Sequence, residues 1–133
     1  MVWNSVLFKN AAAWQKRKDG GETQASIAEH LSLSEAVVSR TLKCGRLPND
    51  EKLRSEQMLQ DRRITEAAVM DLADSGDPAF RQQVLEAAIR HRKVRDVKNA
   101  KRSGKKGMTS DAGKVTVDEI RSAVKEIRAK RVR

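Results

Sequence analysis

Arg40, Lys43 and the short side chains around them are the residues whose types and spacing could do chemistry in this chain. That chemistry is hydrogen bonding to base edges and phosphates rather than catalysis. They lie in the segment 24–43, QASIAEHLSLSEAVVSRTLK. At ~100° per residue, placing Val38 and Leu42 inward leaves Ala36, Arg40 and Lys43 on the opposite side, with Val37 and Ser39 flanking them. An arginine there can donate two parallel hydrogen bonds to guanine N7 and O6, and alanine or valine can touch a thymine methyl. Ser39 can reach a base or a phosphate. Glu35 can accept from cytosine N4, or it can simply complement the helix dipole. Thr23 and Gln24 open the preceding helix, where unpaired backbone amides can hold a phosphate. Ser34 and Arg46, at the two ends of the second helix, are further candidates for backbone contacts. The plain alternative for Arg40 is an exposed ion pair with an acid such as Glu35.

No other group of residues has the spacing of a catalytic or metal site. His30 and His91 are far apart in sequence, and Cys44 alone cannot supply a zinc site of the usual spacing. Gly104-Lys105-Lys106-Gly107 lacks the full P-loop spacing and a preceding strand, and reads as a flexible basic linker. We expect no enzyme activity, no metal and no cofactor. One cysteine excludes an internal disulfide and fits a reducing cytosol. Nothing approaches ~18 consecutive apolar residues, and the N-terminus lacks a signal-peptide pattern, so a cytoplasmic location is expected. Trp3, Phe8, Trp14 and Phe80 are the only aromatics, too few to stack single-stranded bases on aromatic platforms.

The elements that must position these residues are all helical. Trp3, Leu7, Ala11 and Trp14 share one face of a first helix, which stops near Asp19-Gly20-Gly21. Thr23 caps a second helix and Ser34 a third, with Ile27, Leu31, Leu33, Val38 and Leu42 forming a small core between them. This is the pattern of a helix-turn-helix over about residues 23–44, whose second helix enters the major groove. Its turn favours positive φ and usually carries Gly, whereas Ser32 stands here. Gly45 and Pro48 end the third helix. Leu53, Met58 and Leu59 mark a fourth, and Thr65 caps a fifth with Ala68, Val69 and Leu72 apolar. Asp77-Pro78 starts a sixth with Phe80, Val84, Leu85, Ala88 and Ile89, and a shorter helical pattern follows around Val94 and Val97. Residues 103–115 read as a flexible basic linker. Thr116-Val117-Asp118-Glu119 is a capping-box pattern opening an amphipathic helix over 116–133. That helix can pair with a copy of itself, dock on the body or stay frayed. The fold class is all-α, with residues 1–102 forming one helical domain.

The net charge of +10 is uneven: residues 1–21 carry +3, 22–50 carry −1, 51–89 carry −3 and 90–133 carry +11. A basic excess of this size points to an anionic partner, most commonly nucleic acid. Its densest run, Arg90-His91-Arg92-Lys93-Val94-Arg95, continues through Lys98, Lys101 and Arg102. It reads either as a solvated face or as phosphate contact.

The stretch ETQASIAEHLSLSEAVVSRTLKCGRLPNDEKLRS resembles the DNA-binding domain of ParB-type partition proteins, including the KorB-like repressor branch. The Leu47-Pro48 element, the Arg63-Ile64-Thr65 start and the run LQDRRITEAAVMDLADSGDPAFRQQVLEAAI extend the resemblance over roughly residues 5–102. It implies sequence-specific binding of double-stranded DNA at a palindromic centromere-like site, in plasmid or chromosome partition. It implies a homodimer on DNA, a nucleoid- or plasmid-associated location, and a partition ATPase as a further partner in such a system. Contacts beyond the helix-turn-helix would come from Arg62, Arg63, Arg90, Arg92, Lys93 and Arg95. No Gly-Glu-Arg-Arg-like motif of the family's upstream nucleotide-binding domain occurs here, so the chain resembles a fragment or truncated relative and nucleotide hydrolysis is not carried over. A KorB-like transcriptional repressor is the alternative within this class. A helical protein-interaction module without sequence-specific DNA binding is the alternative outside it.

Overall fold

Five of the described helices begin where a short polar side chain takes up an unpaired first-turn amide. Ser5, Thr23, Ser34, Thr65 and Asp77 each accept from the amide three residues on, at 3.3, 3.1, 3.2, 3.2 and 2.7 Å. The structure, a computed structural model, describes residues 3–103 and 112–131. It contains α1 (Val6–Asp19), α2 (Gln24–Leu31), α3 (Glu35–Gly45), α4 (Asn49–Gln60), α5 (Glu66–Ala73), α6 (Pro78–Ser103) and α7 (Val117–Arg131). The expected all-α class is observed, with no strand among the described residues beyond an isolated bridge. None of the described helices is long and apolar enough to cross a membrane. The helices gather into two compact units, Met1–Gln60 and Asp61–Arg133. The division between them falls after α4.

In the first unit, Trp14 of α1 packs with Ile27 and Ala28 of α2 and with Val38 and Leu42 of α3. Ala11 lets α1 and α3 approach closely: a Cβ on Gly45 would stand 3.0 Å from that of Ala11. The core was expected to include Leu31 and Leu33, but these are 40% and 41% exposed. Trp14 and the α1 face fill the space instead, and both leucines flank the turn outside it. Trp3 precedes α1 rather than joining its face. Its ring lies 5.1 Å from that of Phe8, with the Lys52 ammonium 5.5 Å from its centroid. Phe8 takes the core position, 1% exposed.

The turn between α2 and α3 has the backbone its sequence departs from. Ser32 is left-handed at φ 56° and ψ 40°, and the Leu33 amide donates to the Ala28 carbonyl at 2.9 Å, closing α2 with a Schellman-type bond. Left-handed backbone costs a non-glycine residue about 1–2 kcal/mol. Ser32→Gly removes that strain and gives back part of it as unfolded-chain entropy. The expected result is a gain of about 0.5–1 kcal/mol in urea-unfolding stability.

The Glu56 carboxylate of α4 closes the start of α1, accepting from the amides of Asn4 at 2.6 Å and Ser5 at 2.9 Å. Burial works to raise this carboxyl, but the hydrogen bonds from Ser5 and Asn4, with the nearby charge of Lys9, outweigh it and hold it below its ordinary value. A lowered folded value means stability that is present above the ordinary glutamate range and lost as pH falls through the folded value. The difference in stability between the native protein and Glu56→Gln, of order 0.5–1 kcal/mol after solvent screening, should therefore be full at neutral pH. It should shrink below the usual glutamate range, as read by urea midpoints against pH.

In the second unit, α7 docks on α5 and α6, one of the three outcomes open from sequence. Ile120, Ala123 and Ile127 are buried on its inner stripe. Residues 112–115 are tied down rather than linker-like. Val115 is 1% exposed and forms a parallel bridge with Ile64, through bonds of 2.7 Å to the Arg63 carbonyl and 3.0 Å from the Thr65 amide. Ser103 closes α6, and residues 104–111 of the expected linker, including Gly104-Lys105-Lys106-Gly107, lie outside the described residues. Of the capping-box pattern the carboxylate half is observed: the Thr116 amide donates to Glu119 Oε1 at 2.9 Å, and the Thr116 hydroxyl also donates to the Glu119 carboxylate at 3.0 Å. The break expected before Val94 does not occur, because α6 runs unbroken for 26 residues. Val94 and Val97 lie on its surface, 56% and 55% exposed.

Candidate nucleic-acid interface

The exposed face of α3 is built from its N-terminus. Ser34 fixes the start, Val38 and Leu42 are buried at 0% and 1% exposure, and the remaining positions turn outward. Glu35, Ala36, Val37, Arg40 and Lys43 are exposed, Ser39 is half-buried, and Arg46 is exposed just beyond the last turn. The five residues expected to read bases thus share one side of a single helix. Thr41 points inward and donates to the Val37 carbonyl at 2.8 Å. Along the helix the face changes character: Ala36 and Val37 lead, and Arg40, Lys43 and Arg46 follow. Such a face can offer apolar contact at one end and charge-assisted donors at the other.

The helix starts hold the other candidates of this unit. Thr23 and Ser34 spend an oxygen lone pair on their capping bonds, so each hydroxyl hydrogen remains able to donate. Gln24 is half-buried in the first turn of α2. Arg17 is not among the candidates that sequence points to. Its guanidinium donates to both oxygens of Glu22, at 2.8 and 2.9 Å, and to His30 Nδ1 at 2.9 Å. The hydrogen bond from Arg17 holds the Glu22 carboxyl below its usual range, and the same bond raises Arg17. A five-residue spacing across a loop has no helical signature, so sequence periodicity could not find this pair.

Cys44 is fully buried, and burial pushes its thiol up to about 12. It stays protonated at neutral pH, which removes it as a nucleophile. Among the described residues no group of His, Cys, Asp and Glu could hold a metal ion.

The basic residues of the second unit divide into two sets. Arg62, Arg63, Arg90 and Lys93 are at the surface, with Arg62 left-handed at φ 57° and Arg90 lying 3.6 Å from Glu126. Lys98 and Lys101 are exposed further along α6. Arg92 and Arg95, expected at the DNA backbone, turn instead to the chain entering α7. Arg92 donates to the Gly113 carbonyl at 2.8 Å. Arg95 donates to Glu119, to Asp96 at 3.1 Å and to the Lys114 carbonyl at 2.8 Å. Residue type gave both arginines to phosphate, but helical phase turns them to the chain entering α7, where part-buried carbonyls and the buried Glu119 carboxylate accept from them. Between α6 and α7 lies a groove of about 680 Å³, with Lys98 and Lys101 on one wall and Asp118 and Ser122 on the other.

The fold and this geometry define an all-α protein whose first unit carries an exposed, cation-bearing helix on a small three-helix core. Compared with protein-family models, curated proteins and solved structures, the chain matches none.

Proposed function

We propose that this protein binds double-stranded DNA in a sequence-specific manner, α2, the Ser32 turn and α3 acting as a helix-turn-helix. The target is a palindromic centromere-like site of plasmid or chromosome partition, with one copy of the chain on each half. One observation carries the DNA reading. Ala36, Val37, Arg40 and Lys43 are all exposed on α3, a helix rigidly seated by Trp14, Ile27, Ala28, Val38 and Leu42. An α-helix fits the major groove, and side chains fixed on a rigid helix can discriminate bases. The partition role and the palindrome rest on the resemblance to ParB-type proteins in residues 5–102. Selection from random duplex DNA tests the proposal. Enrichment of an inverted repeat supports it, and recovery of no preferred sequence defeats it.

Sequence-blind affinity comes from exposed cations of α6. Val115, Ile120 and Ala123, on the chain after α6, belong to the core of the second unit, so the cations are best removed one side chain at a time. Changing Lys93, Lys98 and Lys101 to Gln keeps that core intact. Affinity should then fall on all duplexes alike. The slope of log K against log salt should flatten by about 0.9 for each phosphate that is no longer neutralised, measured by fluorescence anisotropy.

A further inference from the structure

The order of residue types along α3 specifies more than a DNA target in general. Val37 sits in the first turn and Arg40 one turn later, with Lys43 beyond it. Val37 is 38% exposed although it belongs to a helix whose inner face is fully packed, and Leu33, just before the Ser34 cap, is 41% exposed. The leading end of the face therefore presents methyl groups to whatever α3 meets, and its trailing end presents donors. At 1.5 Å per residue, Val37 and Arg40 are separated by roughly 4.5 Å along the axis and Val37 and Lys43 by roughly 9 Å. Base pairs are stacked about 3.4 Å apart. One helix face thus spans about three to four base pairs, with apolar contact confined to the first of them.

Only one group in the major groove rewards an apolar side chain, the 5-methyl of a pyrimidine. We infer that Val37 reads such a methyl, so that each half-site places a thymine one to two base pairs before the guanine addressed by Arg40. The inference rests on the DNA-binding reading above and adds the chemical identity and order of the bases. Ser39 and Ala36 flank the contact without supplying a comparable apolar surface: Ser39 is half-buried and polar, and Ala36 has a single methyl. Glu35 stands at the helix start, where its charge opposes a phosphate and tolerates a cytosine N4 donor. Leu33 lies outside the helix and adds apolar surface beside the same end.

Deoxyuridine differs from thymidine by the methyl alone, which makes it a direct probe. With the full chain and the duplex recovered by selection, each thymine is replaced in turn by deoxyuridine and the dissociation constant is measured by anisotropy. Burial of one methyl is worth about 0.8 kcal/mol, so one replacement should weaken binding about fourfold. In Val37→Ala the same replacement should have an effect below about twofold, because the methyl has no partner there. Placing 5-methylcytosine opposite guanine at that position should bind better than unmethylated cytosine. Tight, sequence-specific binding indifferent to every deoxyuridine overturns this inference and leaves the DNA-binding reading standing. A fourfold effect that persists undiminished in Val37→Ala overturns the assignment to Val37. Absence of any preferred sequence defeats the DNA-binding reading itself, and the inference falls with it. Circular dichroism of Val37→Ala should match the native protein, since the side chain is partly exposed and its carbonyl still accepts from Thr41.

Discussion

Arg40→Ala should abolish most of the protein's preference for its selected duplex while leaving its fold unchanged. Arg40 is exposed on α3, one turn after Val37 and beside Lys43, and its removal opens no cavity in the Trp14–Leu42 core. A bidentate arginine–guanine contact is worth about 1–3 kcal/mol of discrimination. The dissociation constant on the selected site should therefore rise about 5- to 150-fold, and the constant on scrambled duplex should change far less. Arg40→Lys separates charge from geometry. A lysine keeps the cation but not the planar fork, so non-specific affinity should match the native protein while base preference stays lost. Arg46→Ala makes the contrasting control: at the far end of α3 its expected loss is uniform across sequences. If Arg40→Ala keeps both affinity and preference, the reading face of α3 has been misassigned.

What was legible in the sequence follows from how local each determinant is. Thr23, Ser34, Thr65, Asp77 and Thr116 were readable as helix starts because capping depends on residues within one turn. The same locality made the α3 face readable, since Val38 and Leu42 fix its phase. Ser32 stands at a turn demanding left-handed backbone, and it adopts that backbone despite lacking glycine's freedom. Features set by contacts distant in sequence were not legible. Leu31 and Leu33 look like core residues in a two-helix pattern, but α1 supplies Trp14 from outside that window. Residues 112–115 read as linker by composition, yet Val115 bonds to Arg63 and Thr65 about fifty residues away. Glu56 and the Asn4 and Ser5 amides it caps meet from opposite ends of the first unit, and no spacing rule connects them. Charge counting treats the run from Arg90 to Arg95 as one basic patch. Folding separates its exposed Arg90 and Lys93 from Arg92 and Arg95, which turn to acceptors before and on α7.

Those arginines supply the second large expected effect: Arg95→Ala should destabilise the second unit by about 2–4 kcal/mol. The Arg95 side chain is 24% exposed and that of Glu119 only 6%. One guanidinium serves Glu119, Asp96 and the Lys114 carbonyl, so its loss leaves a buried carboxylate and a carbonyl without their donor. The Thr116 amide and hydroxyl still reach Glu119, at 2.9 and 3.0 Å, which keeps the cost below that of a wholly orphaned charge. Urea unfolding followed by far-ultraviolet circular dichroism measures the change. Trp3 and Trp14 both belong to the first unit. Tryptophan fluorescence should therefore shift less than the dichroism signal, localising the damage. Lys98→Ala, one turn further along α6 and exposed, should stay within about 0.5 kcal/mol of the native protein. Arg95→Met combined with Glu119→Gln should recover part of the loss, because the buried charge is removed together with its partner. A phosphate-binding role for Arg95 predicts the reverse pattern, unchanged stability with weakened DNA binding. Arg95→Ala within about 0.5 kcal/mol of the native protein would return this residue to the DNA-contacting set.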